Sequence, residues 1–213
     1  MRITDVGDIT PLHLDVLSEV GNIGAGNAAT ALSDMLHYLV KVTVPSVRVV
    51  DLDKAASAIG DPEQEVAAIL INLDQDLIGT MLSVFQGPFA NELVTAFLGT
   101  PMPEISQFRD NEMGRSVLCE VGNITVATYV NALSQLSKMV INILPPSISI
   151  DTLNNVIKEH KSREFKDFGR KVVVIDESFI IKDEEYKSSM ILLLEIDSLN
   201  ALIESLGVNN LKP

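Results

Sequence analysis

Tryptophan is missing from these 213 residues, aromatic residues of all kinds reach only 5%, and cysteine occurs once, as Cys119. A core must therefore be built from Ile, Leu, Val, Ala and Met. A single cysteine excludes an intramolecular disulfide. It lies in the apolar run Val117, Leu118, Val121 and reads as a small helix residue. Positive charge is also scarce: 16 Lys and Arg stand against 29 Asp and Glu, for a net charge of −13. No basic stripe is available to neutralise phosphates, which argues against nucleic acid and against anionic membrane surfaces. An acidic protein instead suits a partner that presents a positive feature, such as a lysine, where it docks. No apolar run approaches the roughly 18 to 20 residues of a membrane span. The segment Met1-Arg2-Ile3-Thr4-Asp5 lacks the basic stretch and apolar core of a signal peptide, so the expectation is a soluble, cytoplasmic protein without membrane insertion.

Ligand clusters are missing too. His13, His37 and His160 are scattered and have no cysteine group beside them, so no zinc site is expected. The acidic runs Asp183-Glu184-Glu185 and Asp61-Glu63-Glu65 lack the spacing of a calcium loop and read as solvated turns. Lys158 to Lys171 mixes both signs and reads as an exposed insertion. The run Gly21-Asn22-Ile23-Gly24-Ala25-Gly26 has the wrong order for a dinucleotide loop and no strand before it, so its glycines read as places of close packing. No intrinsic cofactor or metal is expected.

What is present is a duplication. Glu19-Val20-Gly21-Asn22-Ile23 recurs unchanged as Glu120-Val121-Gly122-Asn123-Ile124, 101 residues on. The same offset aligns Val16-Leu17 with Val117-Leu118, Ala31-Leu32-Ser33 with Ala132-Leu133-Ser134, and Pro45-Ser46 with Pro146-Ser147. A weaker echo matches Thr80-Met81-Leu82 with Ser189-Met190-Ile191, at an offset about eight residues larger. An insertion is therefore expected in the second half, within Lys161 to Lys171 or around Asp183-Glu184-Glu185.

Residues 12–37 carry Val16, Leu17, Val20, Ile23, Ala28, Ala31, Leu32 and Met35 at helical spacing. Val42 to Val50 reads as a strand punctuated by Pro45, and Asp51 to Ile59 as a short helix stopped by Gly60-Asp61-Pro62. Val66–Leu73 and Leu77–Phe85 read as strands joined by a turn, and Pro88–Leu98 as a helix closed by Gly99. Each half is thus an α-β-α-β-β-α unit. The expected fold is a single pseudo-two-fold-symmetric α/β domain over residues 1–213, with repeats at about 10–100 and 108–208. Its strands share one sheet and its two long helices are equivalent.

On the first long helix Asp15, Glu19 and Asn22 project within about 60° of one another, on the side away from the apolar positions. The second copy repeats this stripe as Ser116, Glu120 and Asn123, while neighbours drift: Gly24 becomes Thr125, Asn27 becomes Thr128 and Ala28 becomes Tyr129. Packing gives no reason to hold Glu and Asn fixed on a solvated face. An amide accepts and donates hydrogen bonds at once, which suits it to hold a water in line for attack on a phosphoryl group. A carboxylate would pair with a lysine on an incoming protein and set the register of docking.

These residues resemble the signature of the CheC family of chemotaxis phosphatases: Asp or Ser, three residues, Glu, two residues, Asn, twenty-two residues, Pro. Asp15, Glu19, Asn22 and Pro45 fit it, and so do Ser116, Glu120, Asn123 and Pro146. The resemblance implies a substrate, phosphorylated CheY, that carries its phosphoryl group on an aspartate and holds Mg²⁺ itself. It implies that Asn22 and Asn123 orient the hydrolytic water, that Glu19 and Glu120 contact a CheY lysine, and that Pro45 and Pro146 shape the strand beside the helix. It also implies a second partner, the receptor deamidase CheD, expected around Asp151 to Lys158. The alternative from another class is a non-catalytic adaptor for CheY phosphate or CheD. The middle domain of FliM is similar in fold but lacks the Glu and Asn pairs.

Overall fold

The computed structural model describes residues 9–163 and 171–206. The first half runs α1 (Pro11–Leu36), β1 (Val40–Val42), β2 (Ser46–Asp51), a 3₁₀ turn (Leu52–Lys54), α2 (Ala55–Ile59), β3 (Glu65–Gln75), β4 (Gly79–Gln86) and α3 (Gly87–Leu98). After a 3₁₀ turn at Ile105–Phe108 the series repeats. It runs α4 (Glu112–Ser137), β5 (Ile141–Ile143), β6 (Ser147–Thr152), α5 (Leu153–Arg163), β7 (Lys171–Ile181), β8 (Glu184–Leu194) and α6 (Ile196–Ser205).

Both long helices are fixed at each end by local chemistry. Thr10 caps α1, accepting from the His13 N–H while its own N–H donates to His13 Nδ1, and Pro11 fills the first turn. Asn111, the residue 101 further on, caps α4 by accepting from the Gly114 N–H at 2.7 Å. Both helices end on a left-handed residue, His37 at φ 58° and Lys138 at φ 63°.

Val42–Val50, expected as one strand, is two. Proline has no N–H to give a ladder, and Pro45 lies in the gap between β1 and β2. Each half is therefore α-β-β-α-β-β-α.

The eight strands form one antiparallel sheet in the order β1-β7-β8-β4-β3-β5, with β2 also beside β7 and β6 also beside β3. The strands of one half thus complete the ladder of the other: Asp51 pairs with Lys171, and Glu65 with Thr152. The halves interlock.

Pairing also settles where the repeats diverge in length. Thr152 stands 101 residues after Asp51, but Lys171 stands 106 after Glu65, so five residues enter between β6 and β7. Residues 164–170 of that stretch, and with them most of the expected insertion Lys161–Lys171, lie outside the described residues. One more residue enters in the β7–β8 hairpin, since the pair Ile71–Met81 corresponds to Glu177–Ser188. The match of Thr80-Met81-Leu82 to Ser189-Met190-Ile191 is therefore two residues off; the counterpart of Thr80 is Lys187. A slip of two keeps every side chain on its own face, and in β-rich apolar runs the pattern cannot correct it.

One face of the sheet is covered by α1, α4, α3 and α6, around Leu17, Ala28, Leu32, Phe89, Leu93, Tyr129 and Leu202. The other face carries α2 and α5 over Ala68, Val84, Val174 and Ile191. β4 and β8 are repeat equivalents and antiparallel neighbours at once. The pseudo-two-fold axis therefore passes through the sheet between them and leaves α1 and α4 side by side, antiparallel, on one face. They pack tightly at Gly24, where an added β-carbon would stand 2.6 Å from the Tyr129 ring.

Candidate functional site

The outward faces of α1 and α4 carry the stripes. Leu17, Val20, Gly21 and Gly24 are buried on α1, and Leu118, Val121, Gly122 and Thr125 on α4. That orientation sends Asp15, Glu19 and Asn22 into solvent, and likewise Ser116 and Glu120; Asn123 is half-buried. Among the described residues, none of these six side chains takes part in a hydrogen bond or ion pair. The fold thus sets the Glu and Asn of both copies at matching phase, with their bonding capacity unspent. Cys119, beside Glu120, is partly covered. Burial pushes its thiol pKa up, with the charge of Arg115 pulling the other way, so it is not poised as a nucleophile.

The motif prolines differ in their surroundings. Pro45 is buried, and its Cβ would lie 3.7 Å from a β-carbon on Gly21, the residue before Asn22. It forms a floor under that turn of α1, together with Val47 and Ile175. The second site is backed differently. Gly122, the residue before Asn123, rests on Ile69 of β3, and Pro146 is only partly buried. Gly26, one turn beyond Asn22, has open space above it, so the helix backbone is approachable there.

The sequence pattern did not single out Arg115, which stands where the first copy has Leu14. Its guanidinium donates to the Arg109 and Ile148 carbonyls, both at 3.4 Å. Nor did it single out a buried polar pair below the helices. The Tyr129 hydroxyl donates to Glu177 Oε2 at 2.5 Å, and burial pushes the Glu177 pKa up to about 7, partly offset by that bond. Among the described residues no group of three or more His, Cys, Asp or Glu side chains is placed to hold a metal ion, and no helix is long and apolar enough to cross a membrane.

Comparison with known proteins converges on the same segments. The model of the CheC-like family matches residues 12–49 and 113–150, which are the two copies of helix, stripe and following strands. The chain is 30% identical over 199 residues to the CheY-P phosphatase CheC of Bacillus subtilis, covering 92% of this chain and 95% of the relative. Its fold matches the crystal structure of Thermotoga maritima FliY with a TM-score of 0.72 at 23% identity, over 94% of this chain and 98% of that one. It also matches a chain of the CheX–CheY–BeF₃–Mg²⁺ complex from Borrelia burgdorferi with a TM-score of 0.53 at 16% identity, over 85% of this chain and 98% of that one.

Proposed function

The chain belongs to the CheC-like family, and from that premise we propose that it hydrolyses the aspartyl phosphate of the chemotaxis response regulator CheY in the cytoplasm. The observation that carries this reading is the duplicated Glu–Asn stripe, exposed or half-exposed at both copies and free of internal bonds. A surface residue retained twice in phase, with no partner in its own fold, is available to a partner from outside.

In this reading the substrate brings its own Mg²⁺ and its phosphoryl group, and this chain supplies position. Asn22 or Asn123 enters the regulator's active site, where the amide accepts a hydrogen bond from a water and donates toward the phosphoryl oxygens, aligning the water for in-line attack. Glu19 or Glu120, one turn earlier, pairs with a lysine on the regulator and fixes the depth and rotation of the inserted helix. Pro45 and Pro146 hold the neighbouring strand beside the helix. The rigidity needed for such placement is supplied by α1 and α4, each 26 residues long and seated on the shared sheet. CheD would modulate the activity, with a contact around Asp151 to Lys158, where Asn155 and Lys158 of α5 are exposed.

The test is the lifetime of phosphorylated CheY with wild type, Asn22→Ala, Asn123→Ala and the double variant. Faster decay with wild type that is lost in the double variant supports the reading. Binding of CheY phosphate with no change in its lifetime would make the protein an adaptor instead.

A further inference from the structure

Resting on the phosphatase reading, we propose that the two stripes are docking surfaces of unequal electrostatic strength, with Asp15 as the specificity-determining residue. The α1 surface fits a response regulator that presents two or more positive charges around its active site, and the α4 surface fits one that presents a single charge.

The two faces differ in charge. α1 contains no lysine or arginine, and its exposed stripe carries two carboxylates, Asp15 and Glu19, one helical turn apart. Among the described residues no cation pairs with either of them. On α4 the position of Asp15 is taken by Ser116 and that of Leu14 by Arg115. Arg115 is tethered to the carbonyls of Arg109 and Ile148, on the flank of α4 rather than on the stripe's own face. Its charge is felt at Cys119, the neighbour of Glu120, where it draws the thiol pKa down against burial. The first stripe therefore presents two uncompensated negative charges one turn apart, whereas on the second the nearest carboxylate to Glu120 on the same face is the exposed Glu112, two turns away.

Carboxylates four residues apart on a helix stand about 6 Å from each other, inside one Debye length at ordinary ionic strength. A cation docking against Glu19 thus also feels Asp15. At an exposed surface the second charge is worth about threefold in association at low salt, and the advantage fades as salt rises. Salt dependence separates the two surfaces without requiring knowledge of the partner's contacts.

The experiment uses the full chain with one stripe disabled at a time. Asn123→Ala leaves only the α1 surface, Asn22→Ala only the α4 surface, and kcat/KM toward phosphorylated CheY is followed from low to high salt. The α1-only protein should lose about threefold more activity across the range than the α4-only protein. Adding Asp15→Ser or Asp15→Asn to the α1-only protein should flatten its slope to that of α4, and adding Ser116→Asp to the α4-only protein should steepen its slope. Agreement between the Ser and Asn replacements assigns the effect to charge. Equal slopes in the two single-stripe proteins, or a slope that Asp15→Asn leaves unchanged, overturn the proposal while leaving the phosphatase reading in place. Absence of hydrolysis by either single-stripe protein, when wild type is active, overturns the independent-stripe reading and this inference with it.

Discussion

Gly122 lies so close to Ile69 that a β-carbon added to it would stand 2.7 Å from the isoleucine's Cγ2. Ile69 is fully buried in β3, so it has no room to yield. At the equivalent Gly21 the nearest atom, a methyl carbon of Val47, would be 3.5 Å away, an ordinary contact. Gly122→Ala should therefore destabilise the fold by about 1–3 kcal/mol. Gly21→Ala should be neutral or stabilising by up to about 1 kcal/mol, because alanine favours a helix interior. Urea denaturation of the two variants checks the contrast.

The Tyr129–Glu177 pair makes stability depend on pH. Glu177 sits where the first half has Ile71, opposite Ser188 where the first half has Met81, and its pKa is raised from 4.5 to about 7. A carboxyl whose folded pKa lies above its unfolded value binds its proton more tightly in the fold. Its contribution is complete below about pH 4.5 and is lost as pH rises through about 7. Thermal melts should show wild type losing stability, relative to Glu177→Gln, between pH 5 and 8, by about 2–4 kcal/mol in all.

Breaking that pair from the other side has its own signature. Tyr129→Phe leaves Glu177 buried without its donor, while Glu177 Oε1 has no partner to begin with. The single change should cost about 1–3 kcal/mol. Adding Glu177→Ile, the residue of the first half, should recover most of that loss, because neither member of the pair is then a stranded polar group. A double-mutant cycle measured at one pH checks this.

The helix caps should behave as twins. Thr10→Ala and Asn111→Ala remove equivalent bonds, to the His13 and Gly114 N–H groups. Each should cost about 1 kcal/mol, and the two should add, since they belong to different helix ends. Chemical denaturation of the singles and the double measures it.

Much of this was legible in the sequence, for identifiable reasons. The unchanged pentapeptide and the apolar spacing from Val16 to Met35 suffice to place two long helices and to turn Glu and Asn outward, since helical phase follows from spacing alone. The gap at Pro45 was readable as a punctuation but not as a second strand, because β1 and β5 are only three residues long. The exchange of strands between halves was not readable: β-rich runs state which face they bury and not which partner they take. Tyr129 and Glu177 were hidden for the same reason. A Tyr on a helix and a Glu on a strand acquire meaning only when pairing brings them within 2.5 Å. Arg115 carried a faint signal, as a cation where the first copy has Leu14.

What matters most is whether two amides on the surface govern the survival of a partner's phosphoryl group. The direct measurement is the decay of phosphorylated CheY in the presence of the Asn22→Ala/Asn123→Ala protein, with folding verified by its thermal melt. Decay slowed by about 10- to 1000-fold relative to wild type, corresponding to about 1.4–4 kcal/mol of barrier, is the predicted result. Decay as fast as with wild type, from a folded double variant, would contradict it.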